Sequence, residues 1–314
     1  MRHTLYTKEF FTRQILGISA LGIDLHADAI AYTALKKSGR ALVLGSHGRI
    51  PLPDSTYEGG VIRDKMKLIG ALKRIRTHSR MRYVRASIPE EHVYVIDMTV
   101  PKTEKKKVLD RIKTKLAEIL PVFFNDILIN YEILSEDQES FHLNVAIAKK
   151  PFVDEYLDAL KTAGFSVVSL EFRSAAIADA IVGKNDTIPK LIVSLEQNKL
   201  SVFAITDGFI MAGYVSMINA DRDFHLIKEK IDRAYIEWQS VERGRQIDTV
   251  ILTGVRANEY GLADYLSIGL KMRVEIANVW TNVNSFDAYI PEITQEESLG
   301  YAGAIGLALV DFEK

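Results

Sequence analysis

The sequence holds 314 residues, 47% hydrophobic and 26% charged, with a formal net charge of −1 and no cysteine. That length accommodates about two domains of ~150 residues, each able to bury a core. The near-zero charge supplies no global field to select nucleic acid or acidic substrates. Without cysteine there are no disulfides, thiolate nucleophiles or cysteine metal sites, which fits a reducing cytosol.

No uninterrupted apolar run approaches the ~20 residues of a membrane span. The opening MRHTLYTKEFFTRQILGISALGID mixes polar groups through its apolar part, unlike a signal peptide. Phe10, Phe11, Ile15 and Ile18 fall near helical spacing, which predicts a short amphipathic helix docked on the core, a membrane or a partner.

From residue 20 the pattern is ALGID, AIAYTAL and RALVLGSHGRI, three strands separated by HAD and KKSG. A helix follows over VIRDKMKLIGALKRIRTH, with Met66, Ile69, Leu72 and Ile75 on its apolar stripe. Two strands interrupted by Pro89 come next, then a helix over 102–121 with Val108, Ile112, Leu116 and Ile119 in register. ILINYEIL and FHLNVAIAKK alternate as a hairpin around the acidic SEDQES. PFVDEYLDALKTAG is a helix with Pro151 near its start and Gly164 past its end, and FSVVSLE is a strand.

The second half begins as the first does. KLIVSLEQNKLSVFAITDGFIMAGYVSMI is again three strands, with Asp207-Gly208 a strong hairpin turn. A long helix over about 225–243, the strand DTVILTG, the helix YGLADYLSIGL and the strand RVEIA follow. IDLHADAIA from Ile23 and VSLEQNKLS from Val193 take the same place in the two meanders, so the chain reads as a duplicated α/β unit. Such folds bind ligands where strand-connecting turns face a cleft. VGKNDTIP, 182–189, is the candidate boundary between the halves.

LGIDLHADAIAYTAL, LPDSTYEGGVIRD, ASIPEEHVYVIDMTVP, VILTG and the closing SLGYAGAIGLAL, in this order, resemble the PilM family of type IV pilus assembly proteins. That family belongs to the actin-like superfamily and is related to the cell-division protein FtsA. The resemblance implies an α/β, duplicated actin-like (RNase H-like) fold: two lobes around a cleft, with an inserted α+β subdomain. Residues 1–19 would be an extension, 20–83 and 165–188 the first lobe, 84–164 the insert, and 189–314 the second lobe. The closing helix would return to the first lobe. It further implies a cytoplasmic protein at the inner face of the inner membrane. There it would hold the cytosolic N-terminal tail of a PilN-like membrane protein in a groove between insert and first lobe, and help couple pilus motor ATPases to the envelope machinery.

The family's phosphate-facing turns read Asp-apolar-Gly. A carboxylate holds Mg²⁺ through waters, and glycine lets backbone N–H groups approach phosphate. Here the first turn is Asp24-Leu25-His26 with Ala27 beside it, so the acid stays and the glycine is gone. The second is Ser194-Leu195-Glu196, with both lost and a carboxylate added. Unit charges ~4 Å apart at an effective dielectric of ~20 repel by ~4 kcal/mol, which weakens triphosphate binding about a thousandfold. The adenosine-facing glycine pair reads Gly254-Val255, and a further pair is replaced by INADRDFH. The expectation is therefore a degenerate cleft and a pseudo-ATPase, in which Asp24 is an ancestral remnant now serving a hairpin. Mg²⁺ would have only Asp24, and only if Mg-ATP bound. The alternatives are an ATP-binding switch of the same fold and an FtsA-like membrane filament.

The run Lys73–Arg85 carries six basic residues and no acid, the pattern of a solvated helix end or of attraction to an anionic leaflet. With one aromatic, Tyr83, it does not suit nucleic acid. The seven histidines form no ligand-spaced pair with an acid, so no metal site is expected. Neither a Gly-x-Ser-x-Gly elbow nor a Gly-x-x-x-x-Gly-Lys loop is present. Candidate partner contacts lie in the insert: Val84, Ile88 and Val93 on its entering strands, Ile112 and Leu116 on its helix, though each suits a core better than a contact.

Overall fold

The computed structural model describes residues 4–7, 19–26, 28–39, 41–119, 124–218, 223–241, 244–283 and 289–312. The expected helix around Phe10 to Ile18 lies outside them, as does Ala27. Ahead of it, β1 (Thr4–Thr7) is a short strand.

Alternating and continuous apolar runs give β2 (Leu21–Leu25), β3 (Ala29–Ser38) and β4 (Ala41–Pro51), an antiparallel meander. A two-residue pair, β5 (Tyr57–Glu58) with β6 (Val61–Ile62), precedes α1 (Lys65–Ser79). The helix starts later than Val61 because the Asp64 side chain accepts a hydrogen bond from the Lys67 N–H at 3.1 Å and caps it. Leu68, Ile69, Leu72 and Ile75 are buried, whereas Met66, expected on the same stripe, is 74% exposed. It sits in the first turn, outside the arc facing the sheet.

β7 (Tyr83–Ile88) pairs parallel with β2 and belongs to the first lobe's sheet. The insert's own sheet is formed by β8 (Val93–Pro101), β9 (Ile127–Glu136) and β10 (Ser140–Lys149), in the order β8-β10-β9, with α2 (Val108–Ile119) packed on it. Its core joins Met98, Val108, Ile112, Leu116, Phe141 and Val145. Ile119, the last residue of the expected stripe, is half exposed. α3 (Lys150–Thr162) rests against α1, and β11 (Ser166–Phe172) pairs parallel with β7. The insert is thus 93–149, shorter than the expected 84–164, because both flanking elements take positions in the first lobe.

α4 (Arg173–Ile181) leads to the second lobe. β12 (Lys190–Leu195), β13 (Lys199–Thr206) and β14 (Phe209–Met217) repeat the meander. Asp207 and Gly208 both hold positive φ, 52° and 78°, as a two-residue type I′ turn requires. α5 (Phe224–Val241), β15 (Thr249–Thr253), α6 (Leu262–Leu270) and β16 (Arg273–Ile276) follow. The chain closes through α7 (Gln295–Ser298) and α8 (Ala302–Leu309).

The two large sheets share one topology. The first runs β1-β11-β7-β2-β3-β4 and the second β14-β13-β12-β15-β16. In each, an antiparallel meander is extended by two parallel strands on its first member. The wholly buried α8 packs on α4, β2, β3 and β7, so the C-terminal helix sits in the first lobe. That contact needs bare backbone: a Cβ on Gly306 would lie 1.7 Å from the Ala176 carbonyl oxygen, and one on Gly22 2.1 Å from that of Ala304.

Gly306→Ala should therefore cost about 3 kcal/mol or more through overpacking, read as a lower urea midpoint. Gly70→Ala, on the exposed face of α1 with nothing within 4 Å of the added carbon, should instead stabilise by about 1 kcal/mol.

Candidate functional site

The two meanders bring their first turns to face each other, at the carboxyl ends of β2 and β12, where open α/β sheets place their ligand crevice. The turns share a geometry: the His26 N–H donates to the Ala29 carbonyl and the Glu196 N–H to the Lys199 carbonyl, both at 2.9 Å. Between them lies a cluster of buried charge. Asp24 is 0% exposed, His26 and Glu196 2%, and Arg173 3%.

Arg173, the first residue of α4, forks across the gap. Its Nε donates to Asp24 Oδ2 at 3.2 Å, its Nη1 to Ser194 Oγ at 3.1 Å, and its Nη2 to Glu196 Oε1 at 2.6 Å. His26 sits in the same fork, with Nε2 2.7 Å from Asp24 Oδ2 and Nδ1 3.3 Å from Glu196 Oε2. Ser87 Oγ, on β7, accepts from the Leu25 N–H at 2.9 Å and donates to Asp24 Oδ1 at 2.6 Å. At the outer edge Arg49 Nη2 lies 2.9 Å from Asp28 Oδ2 and 3.6 Å from Glu196 Oε2. Gly303 of α8 closes the back, where a Cβ would fall 2.3 Å from Asp24 Oδ2.

Three carboxylates (Asp24, Asp28, Glu196) thus meet the guanidinium groups of Arg49 and Arg173 and the ring of His26, and Glu90 adds a further negative charge near enough to act on Arg173. Buried ions cost several kcal/mol each unless paired, which explains the titration. Burial alone would lower the His26 pKa, but Asp24 and Glu196 outweigh it and raise it above the usual 6.5. Burial would raise Asp24, yet His26, Arg173 and the Ser87 hydroxyl hold it well below the carboxylate range. Burial opposes ionisation of Glu196 too, and His26, Arg173 and Arg49 bring its pKa down to about 2. Asp24 is therefore no leftover hairpin residue. It anchors a buried ionic bridge between the lobes. A second link joins Lys199 Nζ at the start of β13 to Glu91 Oε1 at the root of the insert, 2.8 Å away.

The other expected site residues fall elsewhere. Gly254 and Val255 lie behind the second turn, where Gly254 (φ 90°) donates its N–H to the Leu299 carbonyl and Arg256 N–H binds the Leu195 carbonyl. A Cβ at Gly254 would meet that Leu195 oxygen at 2.4 Å, so this glycine serves the turn. Val84, Ile88, Ile112 and Leu116 are each 0% exposed, which removes them as partner contacts. The first two point into the first lobe's core and the last two into the insert's. Val93 alone is partly exposed and lines a cavity of about 220 Å³ with Val95, Phe172, Phe203 and Tyr214, where insert and lobes meet. Of the basic run, Arg85 is buried and donates to Asp311 at 3.0 Å and Ser169 at 2.9 Å, leaving Lys73, Arg74, Arg76, Arg80 and Arg82 toward solvent.

Sequence reasoning missed Arg173, Arg49, Asp28 and Ser87. The available signal for Arg173 was a cation opening the otherwise small and apolar segment RSAAIADAI. It also missed a convergence of possible metal ligands: atoms of His26, Asp28 and Glu196 lie within 4.8 Å of one another, 170 positions apart in sequence at the extreme. Arg49 and Arg173 already supply positive charge there.

A duplicated α/β core, two lobes joined by facing turns and an α+β insert define an actin-like protein. Residues 22–218 match the family model described as "Type IV pilus assembly protein PilM", and the chain belongs to that family. The structure superposes on a chain from a "PilM-PilN type IV pilus biogenesis complex" with a TM-score of 0.76 and 21% identity, covering 95% of this chain and 99% of that one. The ethanolamine utilization protein EutJ of Carboxydothermus hydrogenoformans aligns at a TM-score of 0.52 and 11% identity, over 92% of this chain and 89% of its own. No curated protein matches the sequence. Among the described residues no helix is long and apolar enough to cross a membrane.

Removing one arm of the bridge leaves buried charge unpaired. Arg173→Gln should cost about 3–5 kcal/mol, measured by urea unfolding. The pH dependence has two sides. Asp24 and Glu196, depressed on folding, contribute stability above their ordinary values of 3.8 and 4.5 and lose it as pH falls through the folded values. His26, raised on folding, contributes fully below 6.5 and loses that contribution as pH climbs to its folded value. Stability should be greatest between pH 4.5 and 6.5 and fall above it, and a His26→Asn chain should lack the alkaline fall.

Proposed function

We propose that this PilM-family chain is a cytoplasmic adaptor. It holds the cytosolic N-terminal tail of a PilN-like inner-membrane protein, sits beside the inner leaflet through that partner, and neither hydrolyses nor usefully binds ATP. The observation that carries the second half is the buried ionic bridge itself. A triphosphate between the turns would meet the carboxylates of Asp24 and Glu196, while Arg173 and His26 are already committed to those same carboxylates. Asp24, the one acid suited to Mg²⁺, is fully buried against Ser87, Arg173 and His26. His26 and Glu196 stand where glycines would expose backbone N–H groups, and their own N–H groups are spent on the hairpins. These residues do not fit Mg-ATP.

Family membership and the fold shared with the chain of a PilM-PilN complex support the partner half. In this reading the tail lies extended between insert and first lobe, where an added strand can take main-chain hydrogen bonds from a sheet edge. The basic end of α1 suits attraction to anionic lipid, and pilus motor ATPases are further candidate partners.

Thermal unfolding with Mg-ATP tests the second half. Ligand at 100 times its dissociation constant would add ~2.7 kcal/mol, a rise of several degrees. The expected shift at millimolar Mg-ATP is under about 1 °C by this arithmetic, and a larger one overturns the reading. A labelled PilN-like tail peptide should bind saturably by fluorescence anisotropy, and failure to bind removes the adaptor role.

A further inference from the structure

Among the described residues, the first sheet carries a strand that its counterpart lacks. Five of its strands, β4-β3-β2-β7-β11, match β14-β13-β12-β15-β16 one for one, and β1 is added beyond β11. β1 lies antiparallel along β11, with Thr4 opposite Glu171, Tyr6 opposite Leu170 and Thr7 opposite Ser169. It also passes near β9 and β10, which places it where first lobe and insert adjoin. The duplicated fold does not require it. Four residues with a register shift between Thr4 and Tyr6 make a short ladder, and short edge strands are marginal on their own.

A sheet edge is a template for any extended segment, and here the chain's own segment uses it. Resting on the reading that the groove receives an extended partner tail, we propose that Thr4–Thr7 is a displaceable ligand in cis. It occupies the β11 edge until a partner strand takes its place. Residues 8–20 tether it to β2, and a short tether gives a local concentration in the millimolar range. A free tail then binds with its affinity reduced by the fraction of time the edge is open. Regulation follows from mass action: whatever draws the N-terminal segment off β11 raises the affinity for the tail.

The test uses the full chain and two probes. Proline at position 6 removes a backbone donor and disfavours the added strand. A fluorescein-labelled peptide of residues 1–12 should bind the Tyr6→Pro chain about tenfold or more tighter than the native chain by this competition. In the same variant, amides of Ser166–Phe172 should exchange faster with deuterium. Equal affinity for both chains, or no binding to either, overturns the proposal. A second variant guards against misfolding. The chain has no cysteine, so Tyr6→Cys with Leu170→Cys can lock the strand in place. Oxidation should abolish binding of the peptide and reduction restore it, and binding unaffected by oxidation overturns the proposal. The second probe, a PilN-like tail peptide, separates the two claims. If it fails to bind while the 1–12 peptide behaves as expected, the tail reading falls and docking in cis stands. If it binds native and Tyr6→Pro chains equally, the tail reading stands and competition falls.

Discussion

The guanidinium of Arg173 is the constraint on which the lobe geometry depends. One planar group donates to Asp24 on β2, Ser194 on β12 and Glu196 beyond it. A fork of fixed donors can satisfy three acceptors only if they are held in one arrangement, so the angle between the lobes is set at the place where an actin-like cleft would open. His26 fills the remaining gap, its two ring nitrogens facing Asp24 and Glu196. The hydrophobic cores of the lobes drive folding. One continuous apolar core runs through both lobes, and the bridge fixes how their first turns meet within it.

That arrangement has a cost and a consequence. Apolar side chains of equal volume could fill the gap with less desolvation. Ion pairs there instead tie relative lobe position to protonation and to the integrity of single groups. A nucleotide cleft needs donors with no partner and room for a ligand. A set of charges already paired among themselves supplies a fixed body against which another protein can be held.

The repeat was legible because strand alternation, Asp207-Gly208 and the matching HADA and EQNK turns are local signals that need only neighbours in sequence. The insert's limits were less so. β7 and α3 read as ordinary strand and helix wherever they pack, and only parallel pairing with β2 and contact with α1 assign them to the first lobe. Val84, Ile88, Ile112 and Leu116 illustrate the same limit, since an apolar residue on a strand or helix looks alike whether it faces a core or a partner. The site failed for a different reason: Asp24, Arg173 and Glu196 are separated by more than a hundred residues at the widest, and no spacing rule joins them.

What the sequence determined alone was the list of elements, their duplication, the bulky residues His26 and Glu196 at the two turns and the resemblance to a family. Those follow from backbone preference and residue size at each position. What only the tertiary structure decided was which charges pair, that His26 lies between two carboxylates, which apolar residues are covered and that the N-terminal strand seats on β11. Each of these is an energy of proximity across the fold, and proximity across the fold has no trace in the order of neighbouring residues.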